Sequence, residues 1–384
     1  MQVVVDGRYF CTLHRSLANF TGNLLRALVA LEVGQRPVVL IPSDLHPVSE
    51  PIREDLGDHV RWIGPERPVE PIVQLWPELR WVHREMPRLL RHHVPETDLL
   101  VIPYHHPPFR TPGVRRAVVL HDLCGLGEGF PKTKKNYWRH YLRLRAAAHM
   151  ADVIWPISEA TRDDMTSRFP ASRTRMGPVV YNGVDRTRVS ENDLVGVLAN
   201  HGLQKLRYVV AYATWQERKN FSATLAALKL LRDRGRPIRL VGIAPEGEAD
   251  GIRGWCEAEG LADSVIVSGV TDAHLDALYA GALTLVWPSR CEGFGYPVVE
   301  AMVQGCPPLV SCVGPGAELV QGAIETLPIL DASTIADRIV GLMDFDPEDR
   351  RELATSLRQR AAAFSLDAYQ RQLGAALTQL DSAN

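Results

Sequence analysis

Two glutamates, Glu292 and Glu300, stand eight residues apart in the stretch RCEGFGYPVVEAMVQG. Gly293, Phe294, Gly295 and Pro297 lie between them. Carboxylates are seldom fully buried without a partner, yet an apolar run, LTLVWPS, precedes this stretch and an apolar helical pattern follows. Pro297 suits the first position of a helix, which predicts a helix to Gln304 with Glu300 one turn inside it. The free amides and dipole of that helix start favour an anion such as a phosphate. Gly293 and Gly295 allow backbone to approach a ligand closely. A carboxylate at Glu300 accepts hydrogen bonds from vicinal ribose hydroxyls, and Glu292, on the loop, faces the other end of the same ligand. One ligand with hydroxyls at both ends and phosphates between them is a sugar nucleotide. The competing reading is a surface loop with a capping glutamate.

A second constellation is ATWQERKN, residues 213–220, at the end of the strand-like run YVVAYAT. Arg218 and Lys219 precede a helical pattern, with Asn220 as its expected N-cap. Two cations beside a helix start suit a diphosphate. Taken alone, the pair also reads as a solvated surface loop. The paired histidines His92–His93 and His105–His106 do not read as metal ligands. Adjacent residues of a strand-like segment point to opposite faces, and no set of carboxylates or cysteines accompanies them.

These groups need rigid elements to hold them. Short, continuous, β-branched runs alternate with helical patterns: QVVV, RPVVLIP, DLLVIP, RAVVLHD, DVIWPIS and PVVYNGV, then YVVAYAT, IRLVGIA, SVIVSG, LTLVWPS and PLVSC. Strands buried on both faces read this way, which predicts parallel sheets covered by helices. Ligands of such sheets bind at the carboxyl ends of the strands. The chain has 384 residues, more than one hydrophobic core holds, so two domains are expected. The polar stretch VDRTRVSENDLVGVLANHGLQ, without a strand-like run, reads as the break.

Composition excludes several classes. The chain is 46% hydrophobic and 23% charged with a formal net charge of -2, without the basic excess of a nucleic-acid binder. Six scattered cysteines without a C-x-x-C suggest neither a zinc cage nor a disulfide framework. No charged segment followed by an apolar run opens the sequence, which predicts no secretory signal. No run reaches the ~18 apolar residues of a transmembrane helix. A cytoplasmic location is expected, with any membrane contact peripheral, at the inner face.

PSRCEGFGYPVVEAMVQGCPPLVS resembles the nucleotide-sugar signature of family 4 retaining glycosyltransferases, mannosyltransferases among them. YATWQERKN, SGVTDAHLDALYAGA, ADVIWPISEATRDDM, VVYNGVD and VVLHDL resemble that family's other blocks in the same order. The resemblance implies the GT-B fold: two facing doubly wound parallel-sheet (Rossmann-like) domains with a cleft between them. It implies an acceptor-side domain over 1–190, a nucleotide-sugar domain over 191–364, and a C-terminal helix, 365–384, returning to the first domain. It implies transfer of a hexosyl unit from a nucleotide sugar with retention and without a metal. Glu292 then matches the glutamate near the donor sugar, with the backbone of Gly293, Phe294 and Gly295 meeting the sugar's hydroxyls. Glu300 matches the ribose-binding glutamate, and Lys219, with Arg218 beside it, the diphosphate lysine. Val270 matches a region lining the base. His121 of the HDL block matches a histidine at the sugar, with Asp122 orienting it or touching the acceptor.

Two departures stand out. Ser16 and Ala18, on the acceptor side, occupy a loop in which relatives often carry glycines. Ala213 stands where some relatives have a second phosphate-binding arginine. RKN with EGFGYP resembles members that use GDP-mannose; UDP-hexoses stay open. The acceptor reads as a saccharide, lipid-linked or a small molecule, in bacterial polysaccharide or glycoconjugate synthesis. Two alternatives share the architecture: an epimerase acting on the donor alone, and a non-catalytic partner subunit.

One further stretch, KTKKNYWRHYLRLR from Lys132 to Arg145, predicts a helix. Lys135, Arg139 and Arg143 recur every fourth residue as a basic stripe, with Trp138 and Tyr141 interleaved. It reads as a solvated face, or as a contact for an anionic membrane or the diphosphate of a lipid-linked acceptor.

Overall fold

A computed structural model describes residues 1–13, 15–32, 34–70, 74–127 and 133–382. The described residues divide into two compact units. One comprises residues 1–183 with 366–384, the other residues 184–365.

The first unit is built on six parallel strands: β1 (Val3–Asp6), β2 (Val38–Leu40), β3 (Arg61–Ile63), β4 (Leu99–Ile102), β5 (Arg115–Leu120) and β6 (Val153–Pro156). Their order is β3-β2-β1-β4-β5-β6. The sheet grows outward in both directions from the β1–β4 pair, so the loops after these two strands flank its switch point. Val4, Val38, Leu100 and Val118 lie under the Lys134–Met150 helix and the helical segment 75–93 in one core. The Leu366–Ser382 helix belongs to this unit and packs against the Arg15–Ala30 helix. Phe20 and Tyr369 meet edge to face, 6.3 Å between centroids.

The second unit holds β7 (Tyr208–Tyr212), β8 (Arg239–Ile243), β9 (Val265–Val267), β10 (Thr284–Trp287) and β11 (Pro308–Val310). The order is β11-β10-β7-β8-β9, again parallel throughout. Here the switch point lies between β7 and β10, which run side by side with Val210 opposite Leu285. Val209, Leu225, Leu228, Leu240 and Val286 share its core.

Two local expectations are corrected. Residues 178–184, PVVYNGV, do not form a strand. Their backbone makes isolated contacts instead: Val180 N donates to Pro156 O at 2.9 Å and Val184 N to Phe364 O at 2.8 Å. The polar stretch after residue 184 opens the second unit. It carries the Glu191–Asn200 helix, capped by Ser190, whose Oγ accepts from Asp193 N at 3.1 Å. Ser16 and Ala18 do not sit in a loop. Both lie in the first turn of the Arg15–Ala30 helix, Ser16 exposed and Ala18 buried.

Candidate nucleotide-sugar site

The two sequence constellations meet at the carboxyl ends of β7 and β10. After β7 the chain makes one tight turn, Glu217–Lys219, and Asn220 takes a left-handed conformation, φ 53°. Asn220 stands at the N-cap position of the Phe221–Asp233 helix but does not cap it. Its Nδ2 donates to Leu330 O at 3.2 Å, and its Oδ1 accepts from Arg290 at 3.3 Å. Arg290 N donates to Arg218 O at 2.8 Å. The turn after β7 is thereby tied to the loop after β10.

Three donors converge on one oxygen, Oε1 of Glu292. Lys219 Nζ donates to it at 2.5 Å, Ser289 Oγ at 2.5 Å and Arg218 Nη1 at 3.2 Å. Lys219 also lies over the Trp287 ring, 4.1 Å from its centroid, and indole is the best aromatic partner for a cation. The side chains of Lys219 and Glu292 are 14% and 15% exposed, so the attraction is stronger than at an open surface. Sequence spacing suggests that the diphosphate cations and the sugar-side glutamate serve separate parts of a ligand. Here they neutralise each other.

The next helix, Tyr296–Gln304, begins after Gly295, whose φ of 109° is open only to glycine. Pro297 lies in its first turn. Phe294 is buried, edge to face with Tyr296 and Phe364 at 5.3 and 5.9 Å. It anchors the loop, which leaves Gly293, half-buried, and Gly295 to line the helix start.

Glu300 sits on that otherwise apolar helix, among buried Val298, Val299, Ala301 and Met302. A buried carboxylate there needs a cation, and Arg186 supplies it. Arg186 Nη2 lies 3.1 Å from Glu300 Oε1 and 3.0 Å from Asp272 Oδ1, and its Nη1 lies 3.4 Å from Asp276 Oδ2. Gln304 fixes the segment carrying Arg186, donating from Nε2 to Thr187 O at 2.8 Å and accepting from Val189 N at 3.1 Å. Burial raises the Glu300 carboxyl pKa against the opposing pull of Arg186, and it pushes the Asp276 carboxyl up to about 6. The carboxylates in turn raise the Arg186 guanidinium despite its burial. Tyr212 and Tyr279, hydroxyls 3.3 Å apart, also feel the Glu300 charge.

Sequence reasoning did not find Arg186, Ser289, Asp272 or Asp276. The i, i+4 spacing of the two aspartates was a usable signal. Arg186 and Arg188 stand together in a polar stretch, and nothing local selects between them.

Val270 is half-buried just beyond β9, followed by Thr271, which caps the helix carrying Asp272 and Asp276. Trp215 is 53% exposed and stacks on Trp255, 4.8 Å between centroids.

His121 lies in the first unit, just beyond β5. Its Nε2–H donates to Pro103 O at 2.9 Å, and its ring meets Phe20 edge to face at 4.6 Å. That bond leaves Nδ1 as the ring's acceptor. Burial lowers the His121 pKa, so the imidazole is neutral at pH 7. Asp122 Oδ1 accepts from Cys124 N at 2.9 Å. Its charge acts on His121, but only by raising that pKa.

The histidine pairs are not in strands. His92 and His93 end a helix, and His105 and His106 follow β4 in a loop. His106 joins a buried network at the β1–β4 switch point, where its Nδ1–H donates to Glu78 at 2.9 Å. Arg8 bonds Asp6 and Glu78, Trp81 Nε1 donates to Asp6 at 3.0 Å, and Arg143 also pairs with Glu78. Among the described residues no group of three or more His, Cys, Asp or Glu side chains is arranged to hold a metal ion. Nor is any helix long and apolar enough to cross a membrane.

Comparison with known proteins agrees with this geometry. The family model described as glycosyl transferases group 1 matches residues 199–360. The O-antigen chain mannosyltransferase B of Escherichia coli is 30% identical over 66% of this chain and 68% of its own length. The GDP-mannose:cellobiosyl-diphosphopolyprenol alpha-mannosyltransferase of Komagataeibacter xylinus is 32% identical over 37% of this chain and 35% of its own. Among solved structures, a UDP-glucose complex of Anabaena HepE covers 99% of this chain and 100% of its own, with a TM-score of 0.71 at 16% identity. The chain belongs to the group 1 glycosyl transferases, a transferase with two parallel-sheet domains of the GT-B fold.

Proposed function

We propose that the protein transfers a mannosyl unit from GDP-mannose to a saccharide hydroxyl, with retention and without a metal, in bacterial polysaccharide or glycoconjugate synthesis. The observation that carries this reading is the convergence of Lys219 and Arg218 on Glu292 at the β7–β10 switch point. Two relatives named as mannosyltransferases, one of them using GDP-mannose, favour this donor. Glu300 accepts hydrogen bonds from the ribose hydroxyls while Arg186 holds its other side. The diphosphate lies at the start of the Tyr296–Gln304 helix and draws Lys219 and Arg218 onto its oxygens, where a metal would otherwise supply charge. Glu292, released from part of that pairing, accepts from hydroxyls of the donor sugar. Val270 lines the base.

In the reaction the bond from C1 to the diphosphate oxygen breaks and a bond from C1 to the acceptor oxygen forms on the same face. The acceptor's proton passes to the departing diphosphate. Lys219 and Arg218 stabilise the charge that grows there. His121 contributes a neutral imidazole toward a sugar hydroxyl, with Asp122 beside it; Ser16 lies on the acceptor side. The second relative's name places its acceptor on diphosphopolyprenol, which favours a lipid-linked acceptor here. It also favours a cytoplasmic enzyme touching the inner membrane face through residues 132–145, of which Lys132 lies outside the described residues.

The test is incubation with GDP-mannose, UDP-glucose or UDP-galactose, with and without a diphosphopolyprenol-linked oligosaccharide and with and without a strong chelator. The expected result is acceptor-dependent GDP release that the chelator does not stop, and an α-mannoside by NMR. A β-linked product, chelator-sensitive activity restored by a divalent ion, or turnover of a UDP-sugar alone would contradict it.

A further inference from the structure

Three of the exposed large apolar side chains of the first unit, Phe109, Trp138 and Leu142, gather in one place. Trp138 and Leu142 are 56% and 57% exposed on one face of the Lys134–Met150 helix, and Phe109, 60% exposed, stands across from them. Between this face and the helical segment 75–93 runs a groove of about 650 Å3. Leu75, Leu79, Trp138, Leu142, Ala146 and Met150 line it. Soluble proteins seldom expose an apolar channel of this kind unless it binds something.

Charge decides what. Lys135, Arg139, Arg143 and Arg145 also line the groove. Arg143 is spent on the buried carboxylate of Glu78. Among the described residues no carboxylate lies within ion-pair distance of Lys135, Arg139 or Arg145. An occupant that satisfies both features has an apolar chain and an anionic head.

The ends of the groove are not alike. Lys135 and Arg139 stand in the first turns of the helix, and Arg139's charge acts on Tyr9 and Tyr104, just beyond β1 and β4. The Tyr104 ring lies 6.2 Å from that of His121. The other end carries Ala146 and Met150 with one cation, Arg145, and His149 beside them. From Arg139 to Met150 the helix rises roughly 16 Å, a span for the first few isoprenoid units of a chain.

We infer that the groove binds one isoprenoid diphosphate: the phosphates on Lys135 and Arg139, the hydrocarbon along Trp138, Leu142 and Met150. This orientation directs whatever the diphosphate carries toward the carboxyl edge of the β1–β4–β5 strands, where His121 stands. The inference rests on the lipid-linked acceptor of the proposed function and assigns it a seat. It also gives the basic stripe a use beyond the membrane contact proposed above, as the head-group end of a ligand site.

The probe is farnesyl diphosphate below its micellar concentration, titrated by calorimetry in the presence of saturating GDP. Inorganic diphosphate, farnesol and phosphatidylglycerol vesicles form separate arms. Farnesyl diphosphate is expected to bind at least tenfold more tightly than diphosphate or farnesol, and more weakly at high salt. Leu142→Glu, on an exposed position, and Lys135→Glu with Arg139→Glu should each weaken it at least tenfold and leave GDP affinity unchanged. Equal affinity for inorganic diphosphate, indifference to Leu142→Glu, or binding to vesicles without binding of the monomeric probe would overturn the proposal. GDP titration of the same proteins reports on the donor site separately, so failure of one reading is distinguishable from failure of the other.

Discussion

Arg186 and Glu300 are 114 residues apart in sequence, and their side chains meet at 3.1 Å in the second unit. Arg186 is paired with Glu300, Asp272 and Asp276, and it favours the charged form of Glu300 against the burial that raises its pKa. In the proposed function it acts through Glu300, as a positioning residue.

Arg186→Met should therefore weaken GDP binding at least tenfold at pH 7 and make it pH-dependent. Burial already raises the carboxyls of Glu300 and Asp276, and Arg186 opposes that rise. Without the guanidinium both hold their protons to higher pH, and affinity should recover as pH rises from 6 to 8.5. Loss of one partner from a buried pair costs about 3–5 kcal/mol of stability, so Arg186→Lys is the companion variant and should regain part of the affinity. Calorimetry across pH checks this. A flat profile for Arg186→Met at wild-type affinity would leave Arg186 as a structural pair only.

Lys219→Ala should lower turnover by roughly 10²–10³-fold, the usual cost of losing one preorganised donor to developing charge. The KM for the donor should change much less, because the contact strengthens as the diphosphate departs. Glu292 keeps Arg218 and Ser289 as partners in this variant. Steady-state kinetics with varied donor separate the two effects. Normal turnover with only a raised KM would reduce Lys219 to ground-state docking.

Stability should fall on acidification through the buried histidines. Burial and Arg8 lower the His106 pKa to about 3, and burial lowers that of His83 to about 4. The unfolded chain binds these protons near pH 6.5, whereas the folded chain binds them only below 3–4. As pH falls from 6.5 toward these values, protons therefore favour the unfolded state, by about 1.4 kcal/mol per pH unit for each histidine. The raised carboxyl of Asp276 works in the opposite sense between pH 3.8 and about 6. A comparison of wild type with His106→Asn isolates one contribution. Between pH 6.5 and 5 the wild type should lose roughly 1.5 kcal/mol more than the variant in urea denaturation. Parallel losses would place the proton uptake elsewhere.

Much of the framework is legible in the sequence because buried parallel strands must be continuously apolar, and β1, β4, β5, β7 and β10 all read that way. RWI, the edge strand β3, is too short and too mixed to stand out. PVVYNGV has the right composition, but its backbone finds single partners instead of a ladder. Glu292 and Lys219 are legible because each sits at a strand end next to a helix start. Their direct pairing is not, since it depends on β7 and β10 being neighbours in the sheet. Arg186 is least legible of all: a buried carboxylate announces that it needs a cation, but not which one.

The two glutamates carry the central claim, and calorimetric titration of GDP against Glu300→Gln and Glu292→Gln tests it most directly. If Glu300 holds the ribose, its variant loses GDP affinity, because the ribose is present before and after transfer. If Glu292 serves the transferring sugar, its variant binds GDP as tightly as wild type but turns over GDP-mannose far more slowly. Equal loss of GDP affinity in both variants, or no loss in Glu300→Gln, would contradict the account.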